Sequence, residues 1–279
     1  MTETITPRRF AWDLPPDIPK HWLPGNEVVS AVLNAYTILV PANEAFYIRT
    51  LKACLPRVGT GELRARCLDF MRQEAQHGVA HQRYWNNLQA QGYRFRTFER
   101  WVGKGVYGLT ERISPLWLRV SLVSCVEHIN AYLAREFLEQ RILAGADPRM
   151  RDLMEWHFAE EIEHRRVAFD VLQVVAPAYP VRLLGCAMTA FLFYLLMTVL
   201  ALGLLAQDGL LGKGRTWRLW RKHLAGGHHM ARRTLGHLCD YLRPGFHPAQ
   251  LGGDALAAAV LERQTASRPP AVEPLRGGG

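Results

Sequence analysis

The chain has 279 residues, 49% of them hydrophobic and 21% charged, with a formal net charge of +9. That length suits one large domain with an appendage, and the apolar content excludes a disordered chain. Five scattered cysteines without a C-x-x-C pair read as reduced cytoplasmic thiols, and the opening MTETITPRRFAWDLPPD holds no apolar signal core.

Residues 1–25 are proline-rich and read as an extended arm on the surface. A helix is expected from Asn26 to Cys54, broken or restarted at Pro41 because proline lacks the backbone donor, so that Glu44 sits just after the break. Pro56–Gly61 reads as a turn, with Thr60 capping a second helix that ends near Gly92. A crossover containing Gly103, Gly105 and Gly108 follows. Ser114-Pro115 and Asp147-Pro148 each read as an N-cap and first helical residue, opening helices over about 115–144 and 148–175. Pro177 and Pro180 close a bundle that spans 26–180. No strand alternation of useful length and no glycine-rich phosphate loop is present.

Leu183–Ala206 then runs 24 residues without a charge, where roughly 20 apolar residues suffice to span a bilayer core. Between Lys213 and Arg243 eight basic residues face one acid, Asp240, with Trp217 and Trp220 among them. An apolar run followed by arginine and tryptophan points to a membrane interface and not to nucleic acid. The competing reading is a buried helix, either a fifth bundle helix or a homodimer contact. Without a signal sequence, a cytoplasmic bundle fits a re-entrant or interfacial anchor on the cytoplasmic side of the inner membrane. If 183–206 is buried, the protein is cytoplasmic. Gly226-Gly227-His228-His229 reads as a solvated loop, and the tail from Gln264 as disordered.

The chemistry lies in a half-site written twice. Glu44 precedes Glu74-Ala75-Gln76-His77 by 30 residues, and Glu127 precedes Glu161-Ile162-Glu163-His164 by 34. On a helix, residues i and i+3 lie about 60° apart on one face. Four antiparallel helices would thus bring four carboxylates and two imidazoles to one centre, as in carboxylate-bridged two-metal bundles. Glu44 and Glu127 sit among apolar neighbours, where a carboxylate is rare unless paired or metal-bound. Four glutamate charges balance two divalent ions, and iron is favoured, with manganese or zinc also compatible. Catalytic side chains beyond the ligands are not identifiable. His81, His157 and Glu160 share the same faces and stand as further ligands or hydrogen-bonding partners, and Tyr47 as a core aromatic or a redox or hydrogen-bonding residue.

NEAFYIRT around Glu44, RQEAQH around Glu74, CVEH around Glu127, H-x-x-x-E-E-x-E-H across His157 to His164, and the later YLRPGFHP resemble the bacterial proteins called predicted metal-dependent hydrolases. The resemblance covers about residues 20–260 and implies an all-α, ferritin-like four-helix bundle with a metal site, followed by a hydrophobic helix and a basic segment. The ligand set also resembles the ferritin-like di-iron enzymes, which implies O2-dependent oxidation of an apolar or lipid-like substrate as the leading expectation. Hydrolysis by a metal-activated hydroxide is the alternative, and iron storage or detoxification is a third. No G-x-S-x-G elbow supports a serine nucleophile.

Overall fold

Helices carry the regular structure of the computed structural model, which describes residues 5–225 and 229–268, and no strand forms among those residues. The expected all-α bundle is what forms. Its long members are α1 (Glu27–Val58), α2 (Glu62–Ala90), α5 (Leu116–Glu139), the α6–α7 pair (Pro148–His164 and Val167–Val175) and α8 (Tyr179–Gln207). Short helices α3 (Arg96–Arg100) and α4 (Gly108–Ile113) flank a π-helical stretch, Trp101–Tyr107, and together make the crossover. A pair α9 (Gly214–Ala225) and α10 (Met230–Leu242) and a final α11 (Asp254–Ser267) complete the chain.

Proline does not interrupt α1 as expected. The helix runs through both Pro41 and Pro56. Pro41 cannot donate to the carbonyl of Thr37 four residues back, and Trp85 Nε1 donates to that oxygen instead, at 3.1 Å. A tryptophan on α2 thus supplies the hydrogen bond that the proline removes, and Glu44 stays on an unbroken helical face. The second helix is preceded by Gly61 at φ +109° with no side-chain cap, so Thr60 does not take that role. Asp147 does cap α6, accepting from the backbone N–H of Arg149.

Further boundaries differ from expectation. The third helix stops at Glu139. The fourth helix divides after His164, where the buried Arg165 turns back to donate to the carbonyl of Ile162 and holds Asp254 through two bonds of 2.8 Å. That side chain occupies a carbonyl the helix would have used, and it docks α11 onto α6. Pro180 does not end the bundle but sits in the first turn of α8, a position that needs no N–H donor. Residues from Gln264 to Ser267, expected to be disordered, are the last turn of α11. The rest of that tail, 269–279, and Gly226–His228 of the expected loop lie outside the described residues; His229 is exposed. The arm is irregular over 5–26, yet it buries Ile5, Phe10, Ile18 and Trp22 against the bundle.

Helix α8 packs along α1 and α5, and it crosses α5 so closely that a Cβ on Gly185 would lie 2.0 Å from Ser121 Oγ. Phe193, Leu196, Leu200 and Leu204 face the bundle, while Leu184, Met188, Phe191, Leu195 and Val199 form an exposed stripe on the other side. By length and composition it is the one helix among the described residues able to cross a membrane. Its packed face also makes it a fifth helix of the bundle.

Two apolar cores fill the interior, one around Trp22, Ile38, Tyr84 and Trp156, the other around Phe46, Phe70, Val123 and Phe169. On α1 the first core ends at Val40 and the second begins at Phe46, and on α2 the division falls between Phe70 and Ala80. Glu44, Glu74 and His77 occupy that seam.

Candidate metal centre

All six residues singled out by the repeated pattern reach the seam, and all are buried. They form two groups in which one ligand atom per residue lies within 4.8 Å of every other. The first comprises Glu44, His77, His157 and Glu161, the second Glu74, Glu127, Glu161 and His164. Glu161 belongs to both. Its Oε1 lies 2.9 Å from His157 Nε2, and its Oε2 lies 3.3 Å from His164 Nε2. His164 Nε2 is also 3.1 Å from Glu74 Oε1 and 3.2 Å from Glu127 Oε2. His77 Nδ1 stands 3.5 Å from Glu44 Oε1 and 4.0 Å from Glu74 Oε1.

Of the three residues left open by the sequence, His157 stands with the ligands while His81 and Glu160 stand one bond behind them. Each imidazole is held through its other nitrogen. Glu160 Oε2 lies 2.9 Å from His77 Nε2, Gln73 Oε1 accepts from His164 Nδ1 at 3.0 Å, and His81 Nε2 meets His157 Nδ1 at 3.0 Å. Such partners fix the ring plane and aim the remaining nitrogen inward. The outer layer reaches the arm: Arg8 donates to Glu160 at 3.1 Å and to Glu163 at 2.9 and 3.0 Å, and Gln73 donates to Glu163 at 2.6 Å. Gly78 leaves room for this packing, since a Cβ there would come within 3.3 Å of Glu44 Oε2.

Without cations, the electrostatics hold most of these carboxyls neutral. Burial first, and the neighbouring carboxylates second, push Glu44 and Glu74 well above the ordinary glutamate range. Burial and Glu161 raise Glu127 to about 7 against the pull of His164. Burial alone would raise Glu161 too, but the hydrogen bonds of His157 and His164 overcome it and hold that carboxyl at about 2. Burial disfavours charge on His164, yet Glu127 and Glu161 lift it to about 10, so the protonated ring serves as a local counter-cation. Burial also raises Glu160 to about 8, against Arg8.

The donor set fits divalent ions. Both oxygens of Glu44, Glu74 and Glu127, and His77 Nδ1, are buried and make no well-formed hydrogen bond, although an imidazole nitrogen stands 3.1 to 3.5 Å from one oxygen of each carboxylate. Leaving so many buried polar atoms unpaired is costly, and oxygen and imidazole donors satisfied by cations would remove the cost. Tyr47 Oη is likewise buried and unpartnered, but it is not among the ligand groups.

Three participants escaped the pattern. Tyr36, whose hydroxyl bonds His157 Nε2 at 2.8 Å, lies two turns before Glu44 with no motif to mark it. Gln73 precedes Glu74 directly and reads as a surface glutamine. Arg8 sits on the irregular arm, so no helical spacing connects it to the site. His128, next to Glu127 in the chain, belongs to neither ligand group and bonds the carbonyl of His237.

One family model, described as "Predicted metal-dependent hydrolase", matches residues 6–252. No curated protein and no solved structure matches the chain.

Proposed function

The chain belongs to the family of predicted metal-dependent hydrolases, and we propose that it hydrolyses an ester or phosphoester with divalent ions held by Glu44, Glu74, His77, Glu127, His157, Glu161 and His164. The observation that carries this reading is the pair of buried ligand groups joined through Glu161. Divalent ions held by these residues would supply an activated water near neutral pH and polarisation of the bond under attack.

The chain's own residues supply position and dryness. Glu160, Gln73 and His81 hold the three imidazoles in place, and the two apolar cores on either side keep bulk water from the carboxylates. A protonated imidazole nitrogen cannot bind an ion, so with an ion at His157 Nε2 neither Glu161 nor Tyr36 would keep its hydrogen bond to that nitrogen. The Tyr36 hydroxyl, which burial keeps neutral, would then be available as a donor to substrate. In ester cleavage the acyl–oxygen bond breaks, the oxygen of water joins the acyl carbon, and the protons pass to the alcohol and the acid.

The O2-dependent oxidation expected from the ligand set gives way here, because the family description supports the hydrolytic alternative and no observation favours lipid oxidation. The test is reconstitution of chelator-stripped protein with zinc, manganese or ferrous iron. Cleavage of p-nitrophenyl esters or bis(p-nitrophenyl) phosphate is followed beside an oxygen electrode. Cleavage by the zinc or manganese form without O2 uptake is the expected result. O2 consumption by the ferrous form, with no cleavage by any form, overturns the hydrolytic reading. Glu161→Ala should abolish metal retention at both groups, measured by elemental analysis.

A further inference from the structure

An apolar cavity of about 430 Å³ lies beside the metal groups, between α1, α5 and α8, and is covered by α9 and α10. Ligand chambers commonly have this size and are lined mainly by apolar side chains with a few placed polar groups. Val32, Leu133, Phe158 and Met197 are among its walls, and no acidic, lysine or arginine residue lines it among those described. Leu224 on α9 and Leu235 on α10 also line it while being 44% and 63% exposed, so they mark an apolar mouth.

Tyr194, Thr198, His223 and Thr234 place polar groups on α8, α9 and α10, and two further polar residues, Tyr36 and Asn130, lie on the helices that carry the metal groups. Tyr36 lines the cavity and bonds His157 Nε2 at 2.8 Å. Asn130 lines it too, one turn beyond Glu127 on α5, 6% exposed and with its Oδ1 buried and unpartnered. Residues i and i+3 share a helical face, so Asn130 belongs to the face that carries Glu127. Tyr36 likewise lies eight residues before Glu44 on α1, two turns away on the same face. No residue of the ligand groups lines the chamber itself, and Tyr36, which touches both, stands between them with Asn130 beside it on the face of Glu127.

We infer that this cavity is the substrate chamber, and that it takes an unbranched apolar chain carrying a neutral carboxylic ester, with the ester group at Tyr36 and Asn130 and the chain extending toward Leu224 and Leu235. The inference rests on the hydrolytic reading for its reaction but not for its binding. No lysine or arginine lines the chamber, its one imidazole, His223, lies on the covering helix α9, and four glutamates already balance two divalent ions at the centre, so an anionic phosphoester would lose more hydration here than a neutral ester does. The Tyr36 hydroxyl is the donor for the ester carbonyl.

Binding is tested apart from chemistry with 2-dodecanone, a neutral mimic that cannot be hydrolysed, and 2-hexanone as the short control. Both are titrated calorimetrically into metal-loaded and metal-stripped protein. The long ketone should bind at least tenfold tighter than the short one. Val32→Trp and Leu133→Trp, each checked for native helicity, should weaken the long ketone at least tenfold, and Asn130→Leu should leave the fold intact while changing the affinity for ketone relative to plain dodecane. Failure of the long ketone to bind, or binding that the two tryptophan variants leave unchanged, overturns the chamber even if short esters are cleaved. Binding that obeys the variants while no metal form cleaves an ester sustains the chamber and removes the hydrolytic reading alone.

Discussion

Replacing Glu127 by Gln separates the cost of burying a carboxylate from its use as a ligand. Its carboxyl titrates at about 7 in the folded, metal-free chain against an ordinary 4.5, because it is buried beside Glu161. The folded protein thus holds this proton more tightly than the unfolded chain does. The resulting stability is fully present below pH 4.5 and is lost as the pH rises through 7. At ~1.4 kcal/mol per pKa unit, the loss between pH 5 and pH 8 comes to about 2–3 kcal/mol. This is an upper figure, since His164 loses one of its three carboxylate neighbours in the variant and gives back part of its own stabilisation. Glutamine has the same shape and does not titrate, so stripped Glu127→Gln should lack this share of the pH dependence and be more stable than wild type at pH 8. The loaded variant should be the less stable of the two, having lost a ligand. Urea unfolding followed by far-UV circular dichroism at both pH values, with and without chelator, gives the four free energies. Parallel pH profiles for the stripped wild type and variant would refute the reasoning, because Glu127 would then titrate like a solvated carboxylate.

Other consequences follow from individual contacts. Arg8→Ala removes the arm's bonds to Glu160 and Glu163 and loosens the carboxylate behind His77, so metal should leave roughly tenfold faster to a chromogenic chelator; an unchanged rate would show that the arm does not support the site. Gly185→Ala places a methyl group 2.0 Å from Ser121 Oγ and 2.9 Å from the Ser121 carbonyl carbon, which should cost at least about 1–3 kcal/mol by overpacking; an unshifted melting temperature would contradict the close α5–α8 crossing. The exposed stripe from Leu184 to Val199, with Trp217 also exposed, should carry the protein upward with anionic vesicles in flotation, and apolar attachment should persist in high salt; protein left at the bottom in both salts would assign the stripe elsewhere.

The helices and the clustering of the candidate ligands were legible because their signals are local. An i,i+3 pair on one helix face is a property of a few residues, and so is the Asp147 cap. What the sequence hid depends on distant partners. Pro41 reads as a break until Trp85, 44 residues on, is seen to donate to the carbonyl it leaves free. The break after His164 depends on Arg165 finding Asp254 on a helix at the far end of the chain. The arm's Arg8 reaches Glu160 across 152 residues. Tyr36 has no repeat to mark it, and its importance appears only in its place between the cavity and His157.

Which ligands share a centre was hidden for a geometric reason, and it has a consequence. Residues three apart on a helix point to one side but differ by about 4.5 Å along its axis. Glu74 and His77 therefore serve different levels: His77 joins Glu44 and His157, and Glu74 crosses to Glu127 and His164. On α6, His157 lies four residues before Glu161 and completes the first level, leaving Glu161 to span both with its two oxygens. The repeat in the sequence is symmetric, but the centre is not. The first position offers two imidazoles and two carboxylates, the second one imidazole and three carboxylates. Imidazole suits zinc and the later transition ions, while carboxylate oxygen suits harder cations such as manganese. Titrating stripped protein with zinc should thus fill the first position before the second and give two calorimetric steps. His157→Gln should merge them by making the first position oxygen-rich. A single isotherm of two equal sites in the wild type would show that the extra imidazole does not distinguish the two positions.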